Sequence, residues 1–195
     1  HVNSINVETK EVSNQTASEE KEYKKTDLNR SVVVRDQIRK VLQEYKDSVY
    51  TKMYPDREPN FDYLPKTLIF AESDIHASLI VEVAKEVFGR EDDRFVQKIT
   101  YSVDDCAERI QSFKRDVDFR IAVTVTLIAT GTDVKPLEVL MFLSDVHSET
   151  LYTQMKGRGV RTISDEQLRE VTPNAHGKEL YYLIDAVGVP ESEKH

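Results

Sequence analysis

"KTLIFAESDIHASLIVEVAKEVFG", residues 66–89, decides the fold class. Lys66 to Ala71 form a short apolar run rich in the types that suit a buried strand. Polar residues follow, and then apolar groups recur at helical spacing. Ile75, Leu79, Val83 and Val87 make one stripe, and Gly89 is a natural helix C-cap. A buried strand handing directly to an amphipathic helix is half of a strand–helix–strand unit.

The same alternation continues downstream. "FVQKITY" reads as a strand, "SVDDCAERIQSFKR" as a helix with Ile110 and Phe113 inward, and "FRIAVTV" as a strand. Asp104 and Asp105 stand where they can cap that helix and complement its dipole. "EVLMFL" reads as a strand buried on both faces, "SETLYTQMKG" as a helix and "LYYLIDAVG" as a last strand. Strands alternating with helices through short connections imply the α/β class, a mainly parallel sheet covered by helices. Upstream, "SVVVRDQIRKVLQEYKDSVY" places Val34, Ile38, Val41, Leu42, Tyr45 and Val49 at helical spacing, with Ser31 as N-cap. "YPDREPNFDYLP" carries three prolines and reads as a loop.

The organisation expected is an arm or linker over residues 1–30, a helix and connecting loop over 31–65, the α/β lobe over 66–189 and a tail over 190–195. The arm is polar and charged, with too little apolar surface to offset the entropy of ordering it. The chain has 195 residues, a net charge of −8 and an apolar fraction of 39%. No run reaches the roughly 18 apolar residues of a membrane span. The N-terminus shows no signal-peptide pattern, and a chain beginning with His1 suggests a piece of a longer protein. A single cysteine, Cys106, excludes an internal disulfide and fits a reducing, cytoplasmic setting. The acidic balance argues against nucleic-acid binding by overall charge but leaves room for a local phosphate site.

In open parallel sheets ligands bind beyond the carboxyl ends of the strands. The richest such loop is "TLIATGTDVKPLE" after Val125. Gly131 there can adopt positive φ, beside the small polar Thr130, Thr132 and Asp133. An ordinary connecting loop would look the same. The other unusual segment is "YTQMKGRGVR", residues 152–161, basic and twice interrupted by glycine in an acidic chain. On a helix Gln154, Arg158 and Arg161 point the same way, and guanidinium forks suit phosphate oxygens. Most charge runs are solvated faces, but a solvated helix has no need of two glycines. No phosphate-binding G-x-x-x-x-G-K-[ST] loop, H-E-x-x-H or G-x-S-x-G occurs, and His76, His147 and His176 are scattered. The chain holds pieces of an anion site without a self-sufficient catalytic set, and no metal ligands are nominated.

"KTLIFAES", "RIAVTVTLIATGTDVKP" and "QMKGRGVR" resemble, in order and spacing, motifs IV, V and VI of superfamily 2 helicases. The resemblance is strongest to the second motor lobe of the R subunit of type I restriction-modification enzymes, and covers roughly residues 27 to 189. It implies a RecA-like three-layer lobe in an ATP-dependent DNA translocase, part of a type I site-specific deoxyribonuclease. By the same resemblance Arg158 and Arg161 are arginine fingers, while Gln154, Gly131 and Asp133 lie near the nucleotide. Ser73, Thr100 and Thr126 are implied contacts to DNA. Thr126 stands where the family commonly has an acidic residue, so it could donate to a phosphate instead. ATP and Mg²⁺ would be bound mainly by a first lobe. The implied partners are double-stranded DNA, that first lobe, and the methyltransferase and specificity subunits, with no membrane. Another repair, remodelling or RNA helicase lobe, or an interaction module that kept the fold, are the alternatives.

Overall fold

The computed structural model describes residues 20–101, 104–125, 134–143, 163–177 and 182–186. Five strands form one parallel sheet: β1 (Lys66–Ala71), β2 (Val96–Ile99), β3 (Ile121–Val125), β4 (Leu137–Phe142) and β5 (Tyr182–Asp185), in the order β2-β3-β1-β4-β5. The helices are α1 (Glu20–Ser48), α2 (Asp74–Phe88), α3 (Cys106–Arg115) and α4 (Asp165–Val171).

β1 and β4 are buried at every position, as central strands covered on both faces must be. Side-chain alternation divides two cores between those faces. Ile69, Ala71, Val123, Val139 and Met141 pack with α1 and α2. Leu68, Phe70, Ala122, Leu140 and Phe142 pack with Phe113 of α3. Phe70 and Phe142 stack across the β1–β4 pair with ring centroids 4.9 Å apart. The sheet is thus sandwiched between helices in a three-layer α/β arrangement.

α2 ends as expected, with Gly89 in the left-handed region at φ 65°. Its buried face differs from the expected stripe. Ala77, Ile80, Val83, Ala84, Val87 and Phe88 are buried, whereas Ile75 is 83% exposed. The small alanines allow α2 to lie close on the sheet, which rotates the core face away from Ile75. On its outer side α2 meets α1 through Arg35 with Glu82 and Glu86, and Arg39 with Glu86.

α1 begins at Glu20, so Ser31 lies inside the helix rather than capping it, and the helix runs through the boundary drawn at residue 30. The lysines and glutamates ahead of Ser31 are good helix formers, which favours the earlier start. Asp105 occupies the N-cap of α3, but its carboxylate makes no capping bond. It pairs with Arg109 at 2.9 Å, a charged partner that outcompetes a backbone amide. α4 escaped the expected elements altogether. Its signal was present: Ser164 accepts a bond from the Gln167 amide, the S-x-x-Q pattern of a helix start.

The amino ends of the strands are closed by buried charge. The β1–β4 register skips Glu138, making it the extra residue of a bulge. Glu138 meets Arg57 in a two-pronged pair at 3.0 and 2.6 Å, both side chains buried. The Arg57 guanidinium lies 4.1 Å from the centre of the Tyr54 ring. Arg120, wholly buried ahead of β3, donates to the carbonyls of Leu64, Val117 and Val171 and to the Thr172 hydroxyl. Burial lowers its pKa to about 10. Lys66, also wholly buried, donates to the carbonyls of Asp116 and Phe119, and burial beside Arg120 lowers its pKa to about 6.

Candidate functional site

Because all five strands run the same way, Ala71, Ile99, Val125, Phe142 and Asp185 end at one edge of the sheet. This is the edge where parallel sheets hold ligands. The chain leaves β3 at Val125 directly into the stretch that carries Thr126, Gly131 and Asp133. It leaves β4 past Leu143 into the stretch that carries Gln154, Arg158 and Arg161. Those six residues, and the helix expected over "SETLYTQMKG", lie outside the described residues. Ser73 and Thr100 lie within them.

Ser73 follows β1 and caps α2. Its extended backbone (φ −150°, ψ 170°) turns the hydroxyl oxygen to accept from the His76 amide at 3.1 Å. One turn on, the His76 Nδ1 accepts from the Glu72 amide at 3.0 Å. Burial lowers the pKa of His76, consistent with a neutral ring whose Nδ1 is an acceptor. Ser73 and Glu72 remain exposed at the sheet edge.

Thr100 follows β2 and is only 1% exposed. Its hydroxyl is bonded to Asp74 Oδ1 at 2.5 Å. Asp74 Oδ2 pairs with Lys98 Nζ at 3.1 Å, and Lys98 also donates to the Ser78 hydroxyl at 2.9 Å. Arg109 of α3 donates to the Lys98 carbonyl at 2.8 Å while pairing with Asp105. A polar network therefore ties the start of α2 to the end of β2 and the first turn of α3. Ile75 and Tyr101, the chain neighbours of the bonded Asp74 and Thr100, stand out from this edge, Tyr101 73% exposed.

The electrostatics follow from the pairing. Lys98 and Arg109 are each engaged by a carboxylate, while Glu72 and Asp104 are exposed. This part of the edge is acidic on balance. Thr100 has no hydroxyl to present outward, so its part in the geometry is to position Asp74. Sequence reasoning did not find Asp74, Lys98 or Arg109. Asp74 carried a usable signal as an acidic first-turn residue after the Ser73 cap; the other two looked like ordinary surface charges. Among the described residues, no three His, Cys, Asp or Glu side chains come together as metal ligands. No described helix is long and apolar enough to cross a membrane.

No family model matches the chain. It is 32% identical over 160 residues to the endonuclease subunit of the type I restriction enzyme EcoKI of Escherichia coli (strain K12). That alignment takes in 77% of this chain and 13% of that subunit, so the chain spans a small part of its relative. In three dimensions it is similar to a fragment of an HsdR subunit of a type I restriction enzyme from Vibrio vulnificus YJ016. The TM-score is 0.55 at 19% identity, over 82% of this chain and 28% of that one. It is also similar to domain 2 of the DEAD-box helicase Mss116p, solved bound to an RNA duplex. There the TM-score is 0.53 at 17% identity, over 79% of this chain and 51% of that one. The chain is a homologue of the type I restriction enzyme R subunit, with the α/β, RecA-like fold of a helicase domain.

Proposed function

We propose that the chain is the second motor lobe of an ATP-dependent DNA translocase within a type I restriction R subunit. The observation that carries this is its 32% identity over 160 residues to the EcoKI endonuclease subunit. The parallel sheet supports it by gathering the exits of β3 and β4, which lead into the residues of interest, at one edge.

The division of labour follows from the chemistry of the groups. Arg158 and Arg161 reach the γ-phosphate of ATP from this lobe and stabilise charge as the phosphoryl group transfers. Gln154 lies beside the same phosphate, and Gly131 with Asp133 lines the nucleotide. The first lobe supplies the phosphate loop and the Mg²⁺ site. Thr126 and Ser73 face the DNA backbone, and Thr100 holds the Asp74 network behind them. ATP turnover cycles the lobes and moves double-stranded DNA past the methyltransferase and specificity subunits in the cytoplasm, ahead of cleavage by a separate nuclease domain.

The isolated chain provides a test. It should not turn over ATP, because two arginines cannot hold the nucleotide in line for attack. It should bind labelled duplexes weakly, since the described edge is acidic and its cations are paired. The logarithm of affinity should fall with that of salt, by a slope of about 0.9 per neutralised phosphate. Steady ATP turnover that survives Arg161→Ala, or tight salt-insensitive binding to one sequence, would overturn the proposal.

A further inference from the structure

At the opposite pole of the sheet lies a cavity of about 780 Å³, well above what a single small anion needs. One wall is the last turn of α3, with Lys114 and Arg115. Another is Lys135 and Pro136, just ahead of β4. The third comes from α4 and the residue leading into it: Ile163, Gln167, Glu170 and Val171, spaced to share one helical face. Among the described residues, three cations and one carboxylate line it, in a chain whose net charge is −8.

A second cleft on the molecule shows what the first lacks. About 300 Å³ in volume, it is lined by Arg90 and Arg94, but also by Asp62, Asp92 and Asp118. Arg90 is bonded to Asp62 at 2.6 Å, and Arg94 sits within 4 Å of Asp92 and Asp118. Its charge is internally neutralised. In the larger cavity, Lys114 and Arg115 have no ion-pair partner among the described residues. The charge of Lys114 and Arg115 is available to a ligand.

We propose that this cavity is a docking site for an acidic peptide segment of a partner protein, with carboxylates on the Lys114–Arg115 rim and an aliphatic side chain on the floor. Pro136, Ile163 and Val171, buried or half-buried, are the apolar residues of the lining that would receive it. Among the described residues no aromatic side chain lines the cavity to stack a base, and Glu170 repels a continuous phosphate track. The mixed apolar and basic lining suits a peptide better than a nucleic acid. Being at the amino ends of the strands, the site leaves the opposite edge free. It is independent of the motor-lobe proposal.

Fluorescence anisotropy with the intact chain tests it, using a labelled peptide that alternates leucine with glutamate. The controls are the same peptide with glutamine for glutamate, and a labelled DNA duplex. The acidic peptide should bind, the glutamine version should not, and affinity should fall with salt. Lys114→Glu with Arg115→Glu should weaken binding by about tenfold or more. Glu170→Gln should tighten it about two- to threefold, a gain that damage to the fold cannot produce. Arg94→Glu, in the neutralised cleft, should leave it unchanged. Equal binding by the wild type and the Lys114/Arg115 variant, no response to Glu170→Gln, or duplex DNA displacing the peptide from this wall would overturn the proposal.

Discussion

The two ends of this sheet solve opposite problems. At the amino ends, the buried basic groups are caged: Arg120 by three carbonyls and a hydroxyl, Lys66 by two carbonyls, Arg57 by Glu138. At the carboxyl ends, charge is half-exposed and arranged as a chain of pairs, Thr100–Asp74–Lys98 and Arg109–Asp105. Buried charge is costly unless every donor is satisfied, so the first arrangement fixes geometry and tolerates little change. The second can exchange partners with a ligand at small cost. The proposed motor lobe would need both, a rigid base and an edge whose contacts can change.

If the base is rigid for this reason, removing one partner there should be the most destructive change in the described fold. Arg57→Ala removes the two-pronged cationic partner of buried Glu138, and should cost about 3–5 kcal/mol in urea unfolding. Arg120→Met strips the donor from four acceptors and belongs in the same range. A loss below about 1 kcal/mol for either would make the base an ordinary surface.

Lys66 gives the base a pH signature. Its folded pKa is lowered to about 6 from an ordinary value near 10.5, so the unfolded chain binds the extra proton between those values. Stability attributable to this group therefore rises with pH through that window and flattens below about 6. Lys66→Met should remove the slope, read as the difference in unfolding free energy between pH 6.5 and 9. An unchanged slope would show that Lys66 keeps its charge in the fold.

At the other edge the effects should be small. Ser73→Ala removes the α2 cap and should cost about 1 kcal/mol. Asp74→Asn keeps a hydrogen bond to Thr100 but loses the charge opposite half-exposed Lys98, and should cost about 0–1 kcal/mol. Thermal melts of both variants measure this. A loss as large as that of Arg57→Ala would mean the two edges do not differ in kind.

What the sequence revealed follows the same division. β1 and β4 were legible because strands buried on both faces show as continuous apolar runs, and Gly89 because a left-handed cap leaves few alternatives. The α2 face was misread because Ala77 and Ala84 carry little hydrophobic weight, while Ile75, which carries much, faces outward. Lys66, Arg120 and Arg57 were illegible, since cations look like surface until the carbonyls around them are known. α4 was missed because seven residues hold too little periodicity to outweigh their charge. In the candidate site, a basic stretch twice interrupted by glycine drew attention to Arg158 and Arg161, and the resemblance to motif VI implied their role; both lie outside the described residues. Asp74, Lys98 and Arg109 meet only through the fold.

The central claim is that the carboxyl edge of this sheet belongs to a motor that hydrolyses ATP. Its most direct test is Arg161 in the longer R subunit, as alanine and as lysine, with kcat, nucleotide affinity and melting temperature measured for each. An arginine finger acts as charge develops, so alanine should lower DNA-dependent ATP turnover by about 10³-fold or more while nucleotide affinity changes little. Lysine should rescue poorly, because a point charge does not reproduce the planar fork. The melting temperature should hold in both. Turnover within a few-fold of wild type for Arg161→Ala would contradict the account.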